Sequence, residues 1–271
     1  MKYSVLMTVY SGENPIFFQQ SLMSMVNQSL KPDEIVLVKD GIIPKSIQII
    51  IDEVNNLTNG LIKEIQIENN VGLGLALNEG LKACKNELIA RMDSDDISLP
   101  KRCERQIKEF EQNTSLDIVG CPVYEFIDSI ENVVGIRKVP LTKDLVKKYV
   151  RRRDPFNHPT VMYKKSKLLE VGCYKNLRKN QDTDLWLRML NNGYVGINIP
   201  EILYYFRFNE NTYKKRKNWI NTKSLLSIRY KAFKLKYCSL LDFGIVAISQ
   251  LCIFILPAKI QKIIYRKFLR K

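Results

Sequence analysis

The sequence predicts an α/β fold, a mostly parallel central sheet flanked by helices, and three observations carry that expectation. Over the first hundred residues, short apolar runs alternate with stretches of helical periodicity. The runs are apolar on both faces, as strands are when helices cover both sides of a parallel sheet. Their ends carry polar and acidic side chains, at the edge where open α/β sheets collect ligands.

Taken in order, Tyr3–Val9 is an apolar run that fits a buried strand. Asn14-Pro15 then opens a helical pattern through Phe17, Phe18, Leu22, Met25 and Val26, with Pro15 in the first turn, where its missing N–H costs nothing. Residues 34–38 (EIVLV) read as a second strand and 45–57 as a helix. A third strand is expected at 64–67, a helix at 74–84 and a fourth strand at 88–92. Beyond it, 117–126 and 132–139 read as two strands, and 141–153 as a helix ending in Arg151-Arg152-Arg153. Residues 160–163 suit a strand and 184–190 an amphipathic helix. No repeat or low-complexity tract interrupts the first hundred residues.

The predicted strand ends bring together Thr8-Val9-Tyr10, Asp40-Gly41, Asn69-Asn70-Val71-Gly72 and Asp93-Ser94-Asp95-Asp96. The last is the most informative. Three carboxylates in four residues at the end of a core strand repel one another and resist desolvation. A hard divalent cation such as Mg²⁺ or Mn²⁺ relieves both, since it takes oxygen ligands and is usually shared between carboxylates and a substrate phosphate. The alternative is a solvated acidic loop capping the helix expected near Leu99-Pro100. Asp40, within Lys-Asp-Gly, is either a ligand contact or a turn residue. No G-x-G-x-x-G follows the first strand, Leu77 stands where Gly72-Leu73-Gly74 would need a third glycine, and no P-loop occurs. A nucleotide would therefore be held by strand-end backbone, Asp40 and bridging through the metal.

Charge divides the chain unevenly. The net charge is +15, and residues 214–271 hold 15 Lys or Arg against one acid, Asp242, whereas 1–213 are almost balanced. A neutral body with a basic tail suggests a tethering surface more than a nucleic-acid binder. The tail holds Lys214-Lys215-Arg216-Lys217, a basic helical stretch at 218–237, fourteen uncharged residues at 243–256, and Pro257. Residues 259–271 then mix Ile260, Ile263, Ile264, Phe268 and Leu269 with six basic residues, an interfacial pattern. The uncharged stretch falls short of the roughly 20 residues needed to span a bilayer. The tail is thus either an anchor to anionic lipid or an appendage packed on the body. Six scattered cysteines without metal spacing read as reduced thiols, and the N-terminus has no signal-peptide pattern, so a cytoplasmic chain is expected.

As a set, residues 4–10, 32–41, 70–74 and Met92–Asp96 resemble the nucleotide-sugar half of family 2 glycosyltransferases, whose fold is called GT-A. The resemblance continues through Asn157-His158-Pro159-Thr160-Val161 and Gln181-Asp182-Thr183-Asp184-Leu185-Trp186, and looks nearest to bacterial enzymes of amylovoran-like exopolysaccharide, capsule or O-antigen synthesis. It implies that Thr8, Val9, Tyr10, Asp40 and Gly72 line the nucleotide pocket. Asp93-Ser94-Asp95 matches the family's D-x-D motif for ribose and metal (Mn²⁺ or Mg²⁺), with Asp96 beside it. Asp182 falls at the position of the catalytic base, though Gln181 replaces the glutamate usually before it. By itself Asp182 reads as a helix N-cap, and Asp184 is a weaker candidate for the base. His158 could be structural or face acceptor or phosphate, and Trp186 could be core or acceptor contact. Arg151–Arg153 could meet a diphosphate or be a solvated helix end.

The expectation is therefore an inverting, metal-dependent hexosyltransferase. It would use a nucleotide sugar (UDP-hexose or UDP-N-acetylhexosamine) and a polyprenyl-diphosphate-linked saccharide, at the inner face of the membrane on anionic lipid. Residues 1–213 would form the catalytic domain, with 1–100 binding the donor and 101–213 supplying acceptor contacts and the base, and 214–271 the membrane-associating segment. Two alternatives remain. A sugar-1-phosphate nucleotidyltransferase would need a glycine-rich basic loop after the first strand, which residues 8–14 lack. A nucleic-acid-binding protein is disfavoured by the neutral body.

Overall fold

The computed structural model describes residues 1–208 and 219–255. Its first half follows the expected alternation: β1 (Tyr3–Val9), α1 (Pro15–Val26), β2 (Glu34–Asp40), α2 (Lys45–Leu57), β3 (Ile62–Ile67), α3 (Leu73–Ala83) and β4 (Leu88–Met92). Asn14 caps α1, its Oδ1 accepting from the N–H groups of Ile16 and Phe17. α3 lies low on the sheet because residue 80 is glycine. A Cβ there would come within 2.4 Å of Leu6 and 2.6 Å of Val38.

The main sheet has seven strands in the order β10-β6-β9-β4-β1-β2-β3. β4, β1, β2 and β3 run parallel, as do β6 (Leu116–Gly120) and β10 (Val195–Asn198), while β9 (Met162–Lys164) is antiparallel between β4 and β6. β1 has β2 on one side and β4 on the other, so the chain reverses its winding there. A crevice opens at such a point beyond the carboxyl ends of the strands. Hydrophobic clusters cover the two faces. One includes Val5, Met7, Phe18, Leu22 and Ile51; the other includes Leu6, Val36, Leu81 and Trp186.

A second sheet, β5-β11-β7-β8, is built from β5 (Ile97–Ser98), β7 (Val123–Ile127), β8 (Ser129–Arg137) and β11 (Tyr204–Arg207). Here the expectations need correction. The single strand expected at 117–126 is two strands in different sheets, broken at Cys121-Pro122. Proline has no N–H for a ladder and fixes φ, so the chain leaves one sheet and enters the other. The strand expected at 160–163 begins later, because His158–Thr160 form a 3₁₀ turn before β9. The long helix expected at 141–153 is only α5 (Lys143–Tyr149), capped by Thr142. α4 (Arg102–Gln112), α6 (Lys165–Glu170) and α7 (Gln181–Asn191) complete the body. The main sheet draws strands from both sides of residue 100, and β5 pairs with β11.

α8 (Trp219–Lys234) and α9 (Leu240–Ile255) form a helical hairpin against this body. α8 turns Thr222, Ile228, Arg229 and Ala232 inward. Asp242 of α9 pairs with Arg152, and Gln250 reaches Thr222. The opposite side of α9 is uncovered: Leu241, Ile245, Ile248, Cys252 and Ile255, spaced alternately four and three apart, are all exposed. Among the described residues no helix is long and apolar enough to cross a membrane. The basic run 214–217 and the amphipathic stretch 259–271 lie outside the described residues.

Candidate active site

The crevice at the ends of β1, β2 and β4 holds most of the residues singled out from the sequence. Thr8 is half-buried and Tyr10 exposed, whereas the Val9 side chain is wholly in the core. Val9 can therefore offer a ligand only its backbone, a correction that follows from strand alternation. Asp40 is buried, and its two carboxylate oxygens accept from the N–H groups of Val71 (2.7 Å) and Gly72 (3.0 Å). Its carbonyl accepts from the Asn70 side chain. Asp40 thus braces the 70–72 loop, which turns through Gly72 at φ +89° into α3, a conformation that suits glycine.

At the end of β4, Asp93, Asp95 and Asp96 each offer a carboxylate oxygen, all within 4.8 Å of one another. Asp93 and Asp95 are partly exposed, while Ser94 and Asp96 are buried. Burial, and then the charges of Asp95 and Asp93, push the Asp96 carboxyl well above the usual carboxylate range; the Arg207 N–H at 2.7 Å works against them. Such a cluster of hard oxygen donors fits a divalent cation, which would compensate the repulsion. Ser21 Oγ donates to the Asp93 carbonyl at 2.6 Å, tying the motif to α1.

Two arginines hold this motif, and neither stood out in the sequence. Arg91 is 1% exposed and pairs with Asp93. Arg207 crosses from β11, its Nε donating to the Asp95 carbonyl (2.7 Å), Nη1 to the Asp128 carbonyl (3.0 Å) and Nη2 to Gln20 Oε1 (2.8 Å). Its guanidinium also lies 3.8 Å from the Phe17 ring centre and 4.5 Å from that of Phe126. The only sequence signal for Arg91 was its charge inside an otherwise apolar strand.

Asp182 lies in the first turn of α7. The cap position belongs to Asn180, in the left-handed region with no side-chain cap bond, so the N-cap reading of Asp182 is corrected. Burial first, then the charge of Asp154, pushes the Asp182 carboxyl up to about 7, opposed by the N–H groups of Thr183 and Asp182 and by Arg91. A carboxyl tuned near neutrality is suited to accept a proton at physiological pH. Asp184 is buried and committed to Arg188 at 2.7 Å. Arg91 and Tyr174 each feel the charges of both Asp93 and Asp182, which links the acidic motif to α7.

His158 and Trp186 do not face the crevice as acceptor contacts would. Trp186 is fully buried, with its ring 5.3 Å from Phe156 and 5.9 Å from His158. His158 is 8% exposed and sits 2.8 Å from the Tyr174 hydroxyl. Burial, then Arg91, hold it well below the ordinary histidine range, hence neutral. Both belong to the core beneath the site: His158 lies in the buried 3₁₀ turn, and Trp186 is on the buried face of α7. Arg151–Arg153 are exposed, Arg152 pairing with Asp242 and Arg153 lying over the Tyr149 ring. The remaining pieces missed by sequence reading are Asp154, beside Asp182, and Arg229 of α8.

With this geometry in view, the profile of glycosyl transferase family 2 matches residues 4–172. The chain is 35% identical over 270 residues to the Escherichia coli UDP-Gal:alpha-D-GlcNAc-diphosphoundecaprenol beta-1,3-galactosyltransferase, covering 100% of this chain and 97% of the relative. It is 32% identical to the amylovoran biosynthesis glycosyltransferase AmsE of Erwinia amylovora, covering 98% of each. Among solved structures it resembles the Pyrobaculum calidifontis mannosyltransferase PcManGT in complex with GDP-Man and Mn²⁺, with TM-score 0.67 and 13% identity, over 93% of this chain and 69% of that one. It also resembles S. aureus TarS 1–349 in complex with UDP-GlcNAc, with TM-score 0.62 and 20% identity, over 94% and 80% of the two chains. The fold is GT-A.

Proposed function

Because the chain belongs to glycosyltransferase family 2, we propose that it moves a hexose from a UDP-sugar onto a polyprenyl-diphosphate-linked saccharide, with inversion, during bacterial surface-polysaccharide synthesis. That it is a glycosyltransferase follows from the family. The donor, acceptor, stereochemistry and residue roles are the proposal. The observation that carries it is the pairing of two chemically different carboxylate groups around Arg91: a cluster of hard oxygen donors, and a lone carboxyl tuned to about 7.

Asp93, Asp95 and Asp96 would hold Mg²⁺ or Mn²⁺, which when bound supplies charge neutralisation to the leaving diphosphate. Thr8, Tyr10 and the loop braced by Asp40 would hold the nucleoside, with Ser94 beneath the diphosphate. Asp182 would take the proton of the acceptor hydroxyl as it attacks the anomeric carbon, and the carbon–oxygen bond to the diphosphate breaks. One base and one displacement give inversion. The E. coli relative's name suggests UDP-galactose as donor and N-acetylglucosamine-diphosphoundecaprenol as acceptor.

Residues 1–213 would be the catalytic unit, with 214–271 as the segment that meets the cytoplasmic leaflet. The exposed stripe of α9 and the basic sequence beyond it support this reading, since each basic residue near anionic lipid adds about 1 kcal/mol. A panel of nucleotide sugars with Mn²⁺ and an N-acetylglucosamine-diphosphoalkyl acceptor, read by UDP or GDP release, tests the chemistry. Turnover with UDP-galactose alone supports the reading, while release only with GDP-sugars overturns the donor. Flotation with anionic vesicles tests the surface: full-length protein that stays unbound at low salt refutes the anchor.

A further inference from the structure

We propose that Arg229, supplied by the C-terminal hairpin, is a positioning residue for Asp182, acting through Asp154. Arg229 is 2% exposed in α8, yet it is poorly paired: Nη1 donates to the Val150 carbonyl, Nη2 lies 3.7 Å from Asp154 Oδ1, and Nε has no hydrogen-bond partner. Burying a guanidinium costs several kcal/mol, and an apolar side chain of similar size commonly serves packing as well or better. A buried arginine with these partners, lying against the loop that carries Asp154, therefore points to a role beyond packing.

The surrounding contacts have a pattern. The hairpin grips the two segments that bracket Asp182. Asn221 accepts from the Asn180 side chain at 3.3 Å, and Ser224 Oγ donates to the Lys179 carbonyl at 2.8 Å, just before α7. Arg229 holds Val150 and Asp154, while Asp242 takes Arg152, just after α5. The charged and titratable groups facing Asp182 are Asp154 beyond α5, Arg91 of β4, Arg229 of α8 and Tyr174 before α7; Asp184, on its own helix, is neutralised by Arg188. Asp154 favours the protonated form of Asp182 and Arg91 the ionised form. Arg229 feels both Asp154 and Asp182, so it offsets Asp154 and fixes where that like charge sits. The C-terminal hairpin thus completes the basic environment of a residue some fifty positions earlier in sequence.

This rests on Asp182 being the base, and the test separates the two ideas. Protein labelled with ¹³C at aspartate carboxyls is titrated from about pH 4 to 9, the Asp182 resonance being identified by its loss in Asp182→Asn. Asp154→Asn should move the Asp182 midpoint down, and Arg229→Met should move it up, each by about one pH unit, as expected for removal of a neighbouring charge. Arg229→Lys should restore most of the wild-type midpoint. With the active donor and acceptor, the acid limb of the kcat profile should follow the same order. Asp154 is 39% exposed on its side chain, so Asp154→Asn should fold; if Arg229→Met does not, Arg229→Gln, which keeps a donor for the Val150 carbonyl, takes its place and should likewise move the midpoint up. An unchanged midpoint in Asp154→Asn or in the neutral Arg229 variant, or both shifting it the same way, overturns the proposal whatever the activity. Full turnover by Asp182→Asn instead refutes the base assignment and leaves the midpoints to be read independently.

Discussion

The two carboxylate sites of this protein are built in opposite ways. The Asp93–Asp96 cluster comes from one stretch of chain at the end of β4, held by Arg91 two residues earlier and by Arg207 from β11. Asp182 stands apart in the first turn of α7, and its surroundings come from four distant places: β4, the loop after α5, the loop before α7, and α8. The first crowds like charges, as suits a cation site. The second takes one carboxyl partly out of water, beside a like charge, so that its proton affinity rises. In the proposed transfer, the donor's diphosphate would use the former and the acceptor's hydroxyl the latter.

The contrast can be broken most severely at the cluster. Asp95→Asn should abolish transfer and weaken nucleotide binding with the fold intact by circular dichroism, and EDTA should do the same to the wild type. Full activity in either case would remove the metal from the picture. At the other site, Asp182→Asn should leave donor affinity near wild type, by calorimetry, while kcat falls by about 10²–10⁴-fold, the range for losing a general base. If turnover survives there and Asp184→Asn is dead, the role belongs one half-turn later.

Smaller effects sharpen the difference. Asp40→Asn replaces one of the two oxygens that hold Val71 and Gly72 by an NH₂ group, so the loop loses about 1–3 kcal/mol of restraint. Donor KM should rise roughly tenfold or more with kcat little changed; an equal fall in kcat would show that Asp40 acts in the transition state. The smallest effect is on stability. The Asp182 carboxyl lies near 3.8 when unfolded and about 7 when folded, so folding favours its protonated form. That preference is fully present below about pH 4 and is lost as pH rises through about 7. Asp182→Asn never ionises, so it should match the wild type near pH 4 and exceed it at pH 8. Because the carboxyl keeps some of its water, the gain should be about 1–2 kcal/mol, read as a higher Tm. A variant less stable than wild type at pH 8 would contradict the burial that raises the carboxyl.

The same contrast explains what was legible in advance. The strands and helices of the first hundred residues announce themselves because each is a local pattern: Pro15 after Asn14, apolar runs of five to seven residues, glycines at turns. The cluster shares that locality, and its charge is visible in four letters. The place of Val9 in a motif points to the pocket, whereas strand alternation turns its side chain into the core. Motif neighbours likewise mark His158 and Trp186, and a 3₁₀ turn and a buried helix face keep them out of the crevice. Arg229 lay within a tail conspicuous only for its basic composition, where nothing distinguishes a buried arginine from its solvated neighbours.

With Asp182 marked only by the family resemblance, the sequence by itself determined the α/β alternation, the acidic strand end and the uneven charge. All of these depend on residues within a few positions of one another, where periodicity and repulsion act directly. Tertiary structure alone decided that the chain changes sheets at Pro122, that Asp40 spends both oxygens on a loop, and that Arg91 sits within reach of both acidic sites. It also decided that an arginine of the tail closes on Asp154 beside Asp182. Burial and the approach of charges from remote elements set these outcomes, and neither quantity exists until the chain has folded.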